Sequence, residues 1–230
     1  MIRRHQLVIA LVLSAAMPMA ASGQSCDVDE IFSLTTFYDV GEGPTSVAIG
    51  DLDGDGDNDL AVANVNSDDV SVLLNNGDGT FAGDTRYGGG ESPVSLVIAD
   101  LDGDGDNDLA VTNPLVDSVG VLLNGGGGVF ALPAVVDSIA SPRSLAVADL
   151  DGDGDADLAV SSSAGNEVGL LLNNGDATFS LNVLGGVGTA AGALSAGDLD
   201  GDGDPDLAVT DLFRNDVGIL LNNGDATFAP

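Results

Sequence analysis

The sequence predicts an all-β fold, a β-propeller built from four 49-residue repeats of four strands each. The first observation behind this is a nine-residue string: DLDGDGDND begins at Asp51 and Asp100, DLDGDGDAD at Asp149 and DLDGDGDPD at Asp198. The interval is 49 residues each time, and Pro44, Pro93 and Pro142 keep it, as do Phe32, Phe81, Phe130, Phe179 and Phe228. The second observation is that every unit holds four short apolar segments parted by turn residues. Small sheets repeating at about 40 to 50 residues are the mark of propeller blades, which bury their faces only by stacking on one another.

In the first unit, Val47–Ile49 leads into the Asp-rich loop and Leu60–Ala63 leaves it. Val70–Leu74 follows a polar turn, and the run from Asn75 to Phe81 opens a fourth segment. The third segment reads VSVLL, VGVLL, VGLLL and VGILL in successive units, nearly continuous in apolar residues, as expected of a strand covered on both faces. Asn-Gly pairs tolerate positive φ and make the tight turns between strands. Residues 32–40 occupy the register of a fourth strand with no first three before it. That strand is expected to complete the sheet of the last unit and close a four-bladed ring. Alternatively the four units form part of a larger propeller, or two chains join into eight blades.

The domain reading has three parts. Residues 1–23 form a secretory signal peptide: Arg3, Arg4 and His5 precede an apolar run from Leu7 to Ala16, and small residues follow at Ala20–Gly23. Residues 24–31 are a short N-terminal segment holding the single cysteine, Cys26, which can be lipidated, disulfide-bonded or free. Residues 32–230 are the repeat propeller, with its loops at 51–59, 100–108, 149–157 and 198–206. The expected location is secreted, extracellular or cell-surface, where calcium is abundant.

Thirty-seven acidic residues face five basic ones, for a formal charge of −32. Phosphate would be repelled, which excludes nucleic acid and anionic membrane as direct partners. The charge is concentrated, because twenty Asp residues lie in the four loops. Each loop alternates carboxylates with Gly and contains neither Cys nor His. Hard oxygen donors of this kind select calcium over zinc or copper. The candidate ligands are Asp51, Asp53, Asp55, Asp57 and Asp59; Asp100, Asp102, Asp104, Asp106 and Asp108; Asp149, Asp151, Asp153, Asp155 and Asp157; and Asp198, Asp200, Asp202, Asp204 and Asp206. About one calcium per repeat, four in total, is expected. An EF-hand would need a Glu at the twelfth position, where Val62, Val111, Val160 and Val209 stand. Acidic turns that hold no ion are the competing reading, since Asp and Gly favour turns for reasons of their own.

These loops, followed by LeuAlaVal and then by ValLeuLeuAsnAsnGlyAspGlyThrPhe, resemble the FG-GAP and VCBS-type repeats, related to the integrin alpha-subunit propeller. The resemblance runs from Phe32 to Phe228. It implies calcium held by the side chains of the first, third, fifth and ninth loop residues and by the carbonyl of the seventh. It also implies an extracellular adhesion, binding or scaffold role with a protein or glycan partner. Family propellers commonly have seven blades, against four units here, and Pro205 departs from the loop pattern at its eighth position.

The residue inventory points away from catalysis. Beyond residue 23 there is no His or Lys and there are three Arg, so the usual general bases and covalent nucleophile arrangements are mostly unavailable. The chain is therefore read as a non-enzyme. The alternatives to a binding module are a lectin-like propeller and a purely structural surface-layer appendage. Sugar sites recruit aromatic platforms, and this chain has no Trp and only Tyr38 and Tyr87, read here as sheet-packing residues. Arg86, Arg143 and Arg214 break the repeat and are read as charge-balancing.

Overall fold

The computed structural model describes residues 36–188 and 190–229. The chain divides into two units, Met1–Tyr38 and Asp39–Pro230. The expected signal peptide, Cys26 and residues 32–35 lie outside the described residues. In the first unit, Thr36–Tyr38 are described and belong to no strand.

The second unit contains four antiparallel meanders, which we call blades. Blade 1 is β1 (Pro44–Gly50), β2 (Asp59–Asn64), β3 (Asp69–Leu73) and β4 (Thr85–Gly88). Blade 2 is β5 (Leu96–Ala99), β6 (Asp108–Asn113), β7 (Ser118–Leu122) and β8 (Ala134–Asp137). Blade 3 is β9 (Pro142–Ala148), β10 (Asp157–Ser162), β11 (Glu167–Asn173) and β12 (Phe179–Gly185). Blade 4 is β13 (Ala191–Gly197), β14 (Asp206–Asp211), β15 (Asp216–Asn222) and β16 (Phe228–Ala229). Strands pair in chain order within every blade, as short connections dictate. The register repeats too: Leu60 faces Leu73, Leu109 faces Leu122, Leu158 faces Leu171 and Leu207 faces Leu220.

The expected all-β architecture and its repeat are thus present, and ring closure is not. Inner strands pack in sequence, β1 on β5, β5 on β9 and β9 on β13, but the described blades form an open arc. Of the arrangements expected, part of a propeller is the one the described blades fit, rather than a closed four-bladed ring. Blade 4 takes its own Phe228–Ala229 as outer strand, pairing Leu221 with Ala229 and Asn222 with Phe228. Thr36–Val40 contribute no strand to it. Val40 accepts a hydrogen bond from the Arg86 guanidinium, and the Gly41 amide donates to Ser71 Oγ, so Val40 and Gly41 lie against blade 1.

The core lies between blades, one cluster per junction. Ala61, Ala63, Val70 and Val72 of blade 1 meet Leu96, Leu109, Val111, Leu122 and Phe130 of blade 2. The second junction repeats this with Val119 and Val121 against Leu145, Leu158, Val160 and Leu171. The third sets Val168 and Leu170 against Leu194, Leu207 and Val209. Alternate residues of the third strand therefore face opposite neighbours, which explains why it carries almost no polar residue. Tyr87 is a packing residue, as expected: its ring meets Phe130 edge-on at 5.2 Å and its hydroxyl donates to the Gly128 carbonyl. Arg86 pairs with Asp84 at 2.7 Å, and Arg214 lies 3.8 Å from Asp211.

Candidate metal centres

Each Asp-rich loop connects the first two strands of a blade. In the first loop Asp51 caps its own turn, its two carboxylate oxygens accepting the Gly54 amide at 2.8 Å and the Gly56 amide at 3.0 Å. Both glycines hold positive φ, 78° and 94°, a region that costs other residues about 1–2 kcal/mol. Asp53 accepts the Asp55 amide, and Asp55 accepts the Asp57 amide. Asp59 opens β2 and is fully buried; it receives the Leu52 amide at 2.8 Å and the Asn75 amide at 2.7 Å. The other three loops repeat this set at the same positions.

The outcome is a carboxylate cluster in every blade. Asp51, Asp53 and Asp59 converge, as do Asp100, Asp102 and Asp108; Asp149, Asp151 and Asp157; and Asp198, Asp200 and Asp206. In each trio one oxygen per residue lies within 4.8 Å of the others. The first, third and ninth candidates are thereby brought together. The fifth (Asp55, Asp104, Asp153, Asp202) stands outside the trio. The carboxylate of the seventh turns toward the Asn-Gly turn of its own blade. A Cβ placed on Gly77 would lie 2.8 Å from Asp57 Oδ2, and one on Gly175 would lie 2.6 Å from Asp155 Oδ2.

Electrostatics agrees with a cation-seeking site. Burial, with neighbouring carboxylates adding to it, raises Asp53, Asp102, Asp151 and Asp200 above the ordinary Asp value of 3.8. Asp108 and Asp157 are pushed up to about 6, mainly by burial, against the lowering effect of the amides they accept. A cation among the three carboxylates would reverse these penalties. The donor set, all oxygen and multiply anionic, fits a hard divalent ion.

Sequence reasoning missed the residues that lock one loop to the next blade. Asn124, Asn173 and Asn222 each donate a side-chain N–H to the second-position carbonyl of the preceding loop, on Leu52, Leu101 and Leu150, at 2.8 Å. Each also reaches the eighth-position carbonyl of its own loop, and its backbone amide serves the ninth Asp. Their recurrence at 49-residue spacing was the available signal, and it was read only as turn formation.

The family model of the FG-GAP-like repeat matches residues 51–111, 100–160 and 149–209, together more than half the chain. The chain belongs to the FG-GAP-like repeat family. No curated protein sequence matches this FG-GAP chain. Among solved structures it is similar to an Agrocybe aegerita lectin studied for its recognition of non-reducing terminal N-acetylglucosamine. That match has 28% identity and a TM-score of 0.60, and covers 79% of this chain and 50% of the lectin. A catalytically inactive virginiamycin B lyase from Staphylococcus aureus, with quinupristin, matches at 16% identity and a TM-score of 0.52, over 81% of this chain and 55% of the lyase. BBS1N, in complex with ARL6DN, matches at 15% and 0.54, over 82% and 57%. The last two show the fold alone. The FG-GAP chain spans about half the length of each of these proteins.

Proposed function

We propose that the chain is an exported calcium-binding FG-GAP module, acting outside the cell as a binding, adhesion or scaffold domain in which calcium stiffens the loops between the first two strands of each blade. The observation that carries this reading is the fourfold carboxylate trio at one position of the repeat. Asp51, Asp53 and Asp59 and their counterparts would hold the ion, Asp55 would close on it from the loop, and Asp57 would offer its backbone carbonyl. Export rests on the basic and apolar start of the sequence. The partner is an extracellular protein or glycan.

The test is thermal unfolding in millimolar calcium, in excess chelator and in magnesium. Extracellular calcium modules bind with dissociation constants near 10⁻⁴–10⁻³ M, so 1 mM calcium is about 1–10 times Kd and the native state gains about 0.4–1.4 kcal/mol per site by mass action. A calcium-specific rise in midpoint, reduced stepwise by Asp53→Ala, Asp102→Ala, Asp151→Ala and Asp200→Ala, is expected. Superimposable melts in calcium and chelator would reduce the loops to acidic turns.

A lectin reading has one observation in its favour, the 28% identity to the Agrocybe aegerita lectin. Glycan-array binding in calcium tests it, with N-acetylglucosamine-terminated glycans as the first candidates. A non-enzymatic role is part of this reading, and the lack of His and Lys beyond residue 23 supports it.

A further inference from the structure

We infer that the four clusters take up calcium cooperatively, each filled loop favouring the next, because buried Asn124, Asn173 and Asn222 join the ninth-position carboxylates of all four loops into one continuous chain of hydrogen-bonded residues. The inference rests on the calcium reading above, and it makes these asparagines positioning residues that touch no ion themselves.

The chain can be followed outward from the third trio. Asp157 accepts the Asn173 backbone amide on Oδ1 at 2.7 Å and the Leu150 amide on Oδ2 at 2.8 Å. On one side, the Asn173 side chain donates at 2.8 Å to the Leu101 carbonyl of the preceding blade, and the Leu101 amide donates to Asp108 at 2.9 Å. Asp108 passes the connection on through Asn124 and Leu52 to Asp59, at 2.7, 2.8 and 2.8 Å. On the other side, the Leu150 carbonyl takes an N–H from Asn222, whose own amide holds Asp206 at 2.8 Å.

Every link lies away from water. The four ninth-position Asp are fully buried, and the linking Asn and Leu residues are no more than 3% exposed. A broken link would therefore leave a buried carbonyl with one donor fewer and no water to replace it. Two junctions add a second strap on the same atom: the Leu101 and Leu150 carbonyls also accept the Ala177 and Ala226 amides at 2.9 Å. Those alanines are held at φ 58° and 57°, a region that disfavours any residue with a Cβ. The first junction instead adds the Asn107 side chain on the Asp51 carbonyl at 2.8 Å.

The loops are coupled through ordering. Calcium among Asp149, Asp151 and Asp157 would fix the Asp157 carboxylate, and with it the Asn173 residue that fixes Leu101. Leu101 sets one oxygen of Asp108, so the neighbouring trio meets its own ion already partly ordered. Ordering completed at the first loop is not required again at the second, which is positive cooperativity without a change of fold. Charge acting through space has the opposite sign, since a cation in one loop weakens the pull of the next, and at 0.15 M salt it is screened over about 8 Å.

The test follows loop glycine amides by nitrogen–proton correlation spectroscopy during calcium titration at that salt concentration, Gly103 and Gly105 reporting the second loop and Gly201 and Gly203 the fourth. Asp151→Ala disables the third loop. With coupling of about fivefold, the low end for linked sites, the calcium midpoints of the second and fourth loops are expected to rise about fivefold. When Asn173 is first replaced by Ala, the same Asp151→Ala leaves the second loop's midpoint unmoved and still raises the fourth's, a one-sided loss that weakened packing alone does not produce. Midpoints unmoved or lowered by Asp151→Ala in the chain that keeps Asn173 overturn the inference without any asparagine variant. So does a rise at the second loop that persists in folded Asn173→Ala. Glycine amides that never respond to calcium in the unaltered chain overturn the calcium reading and this inference together, an outcome distinct from four loops that fill independently.

Discussion

Asp157 shows how a single residue serves both fold and site. Its two oxygens accept the Leu150 and Asn173 amides at 2.8 and 2.7 Å, and the same carboxylate completes the trio with Asp149 and Asp151. Burial raises it, like Asp108, to about 6, above the 3.8 of an ordinary Asp. Between those values the folded chain holds more protons than the unfolded one, so stability falls as pH rises through that window and returns on acidification. In chelator, the unfolding midpoint is therefore expected to be higher at pH 5 than at pH 7. On the proposed calcium reading, protons would compete with the ion for the same oxygens, so a calcium-induced rise in midpoint is expected to shrink over the same interval. Asn173→Ala would strip donors from the Leu101 and Ala156 carbonyls inside the structure. A loss of about 1–3 kcal/mol in chemical denaturation is expected, in calcium and in chelator alike. That residue was legible only as part of an Asn-Gly turn, because its reach of 72 residues back to Leu101 exists only after blades stack.

At the scale of elements, the third strand of each blade does most of the packing. Leu122 on β7 is fully buried at the first junction, while Leu115, in the turn before β7, is 71% exposed. Leu122→Ala is expected to cost about 2–5 kcal/mol in urea unfolding, and Leu115→Ala no more than about 0.5 kcal/mol. The strands themselves were readable in order from alternation, apolar runs and turn residues. The outer strand was less so. It begins at Thr85 and Ala134 in blades 1 and 2, after isolated bridges at Phe81 and Phe130, but at Phe179 itself in blade 3. Outer strands touch a single partner strand, so local sequence rather than the repeat decides where each one starts.

For the whole molecule, the open arc makes blades unequal despite nearly identical sequences. Strand β11 is paired along all seven residues by β12, whereas β16 covers only Leu221 and Asn222 of β15. Hydrogen exchange should follow this difference, with the outward amides between Asp216 and Leu220 exchanging faster than those between Glu167 and Leu171. Equal protection would mean that another strand covers that edge. A net charge of −32 also favours expansion of the arc, so added salt is expected to stabilise the calcium-free chain by screening.

By itself the sequence determined the all-β class, the 49-residue repeat, the order of the strands and the position of four acidic loops. Those follow from local rules: side-chain alternation, turn chemistry and the regular recurrence of Asp and Gly. Only the tertiary structure decided that the first, third and ninth carboxylates converge, and that the seventh turns toward its own Asn-Gly turn. It also decided that the described blades form an open arc. Each depends on how far one blade rotates against the next and on which carbonyls lie across the junction. Four nearly identical repeats carry no record of either, because the same residues stand at covered junctions and at the bare end of the arc.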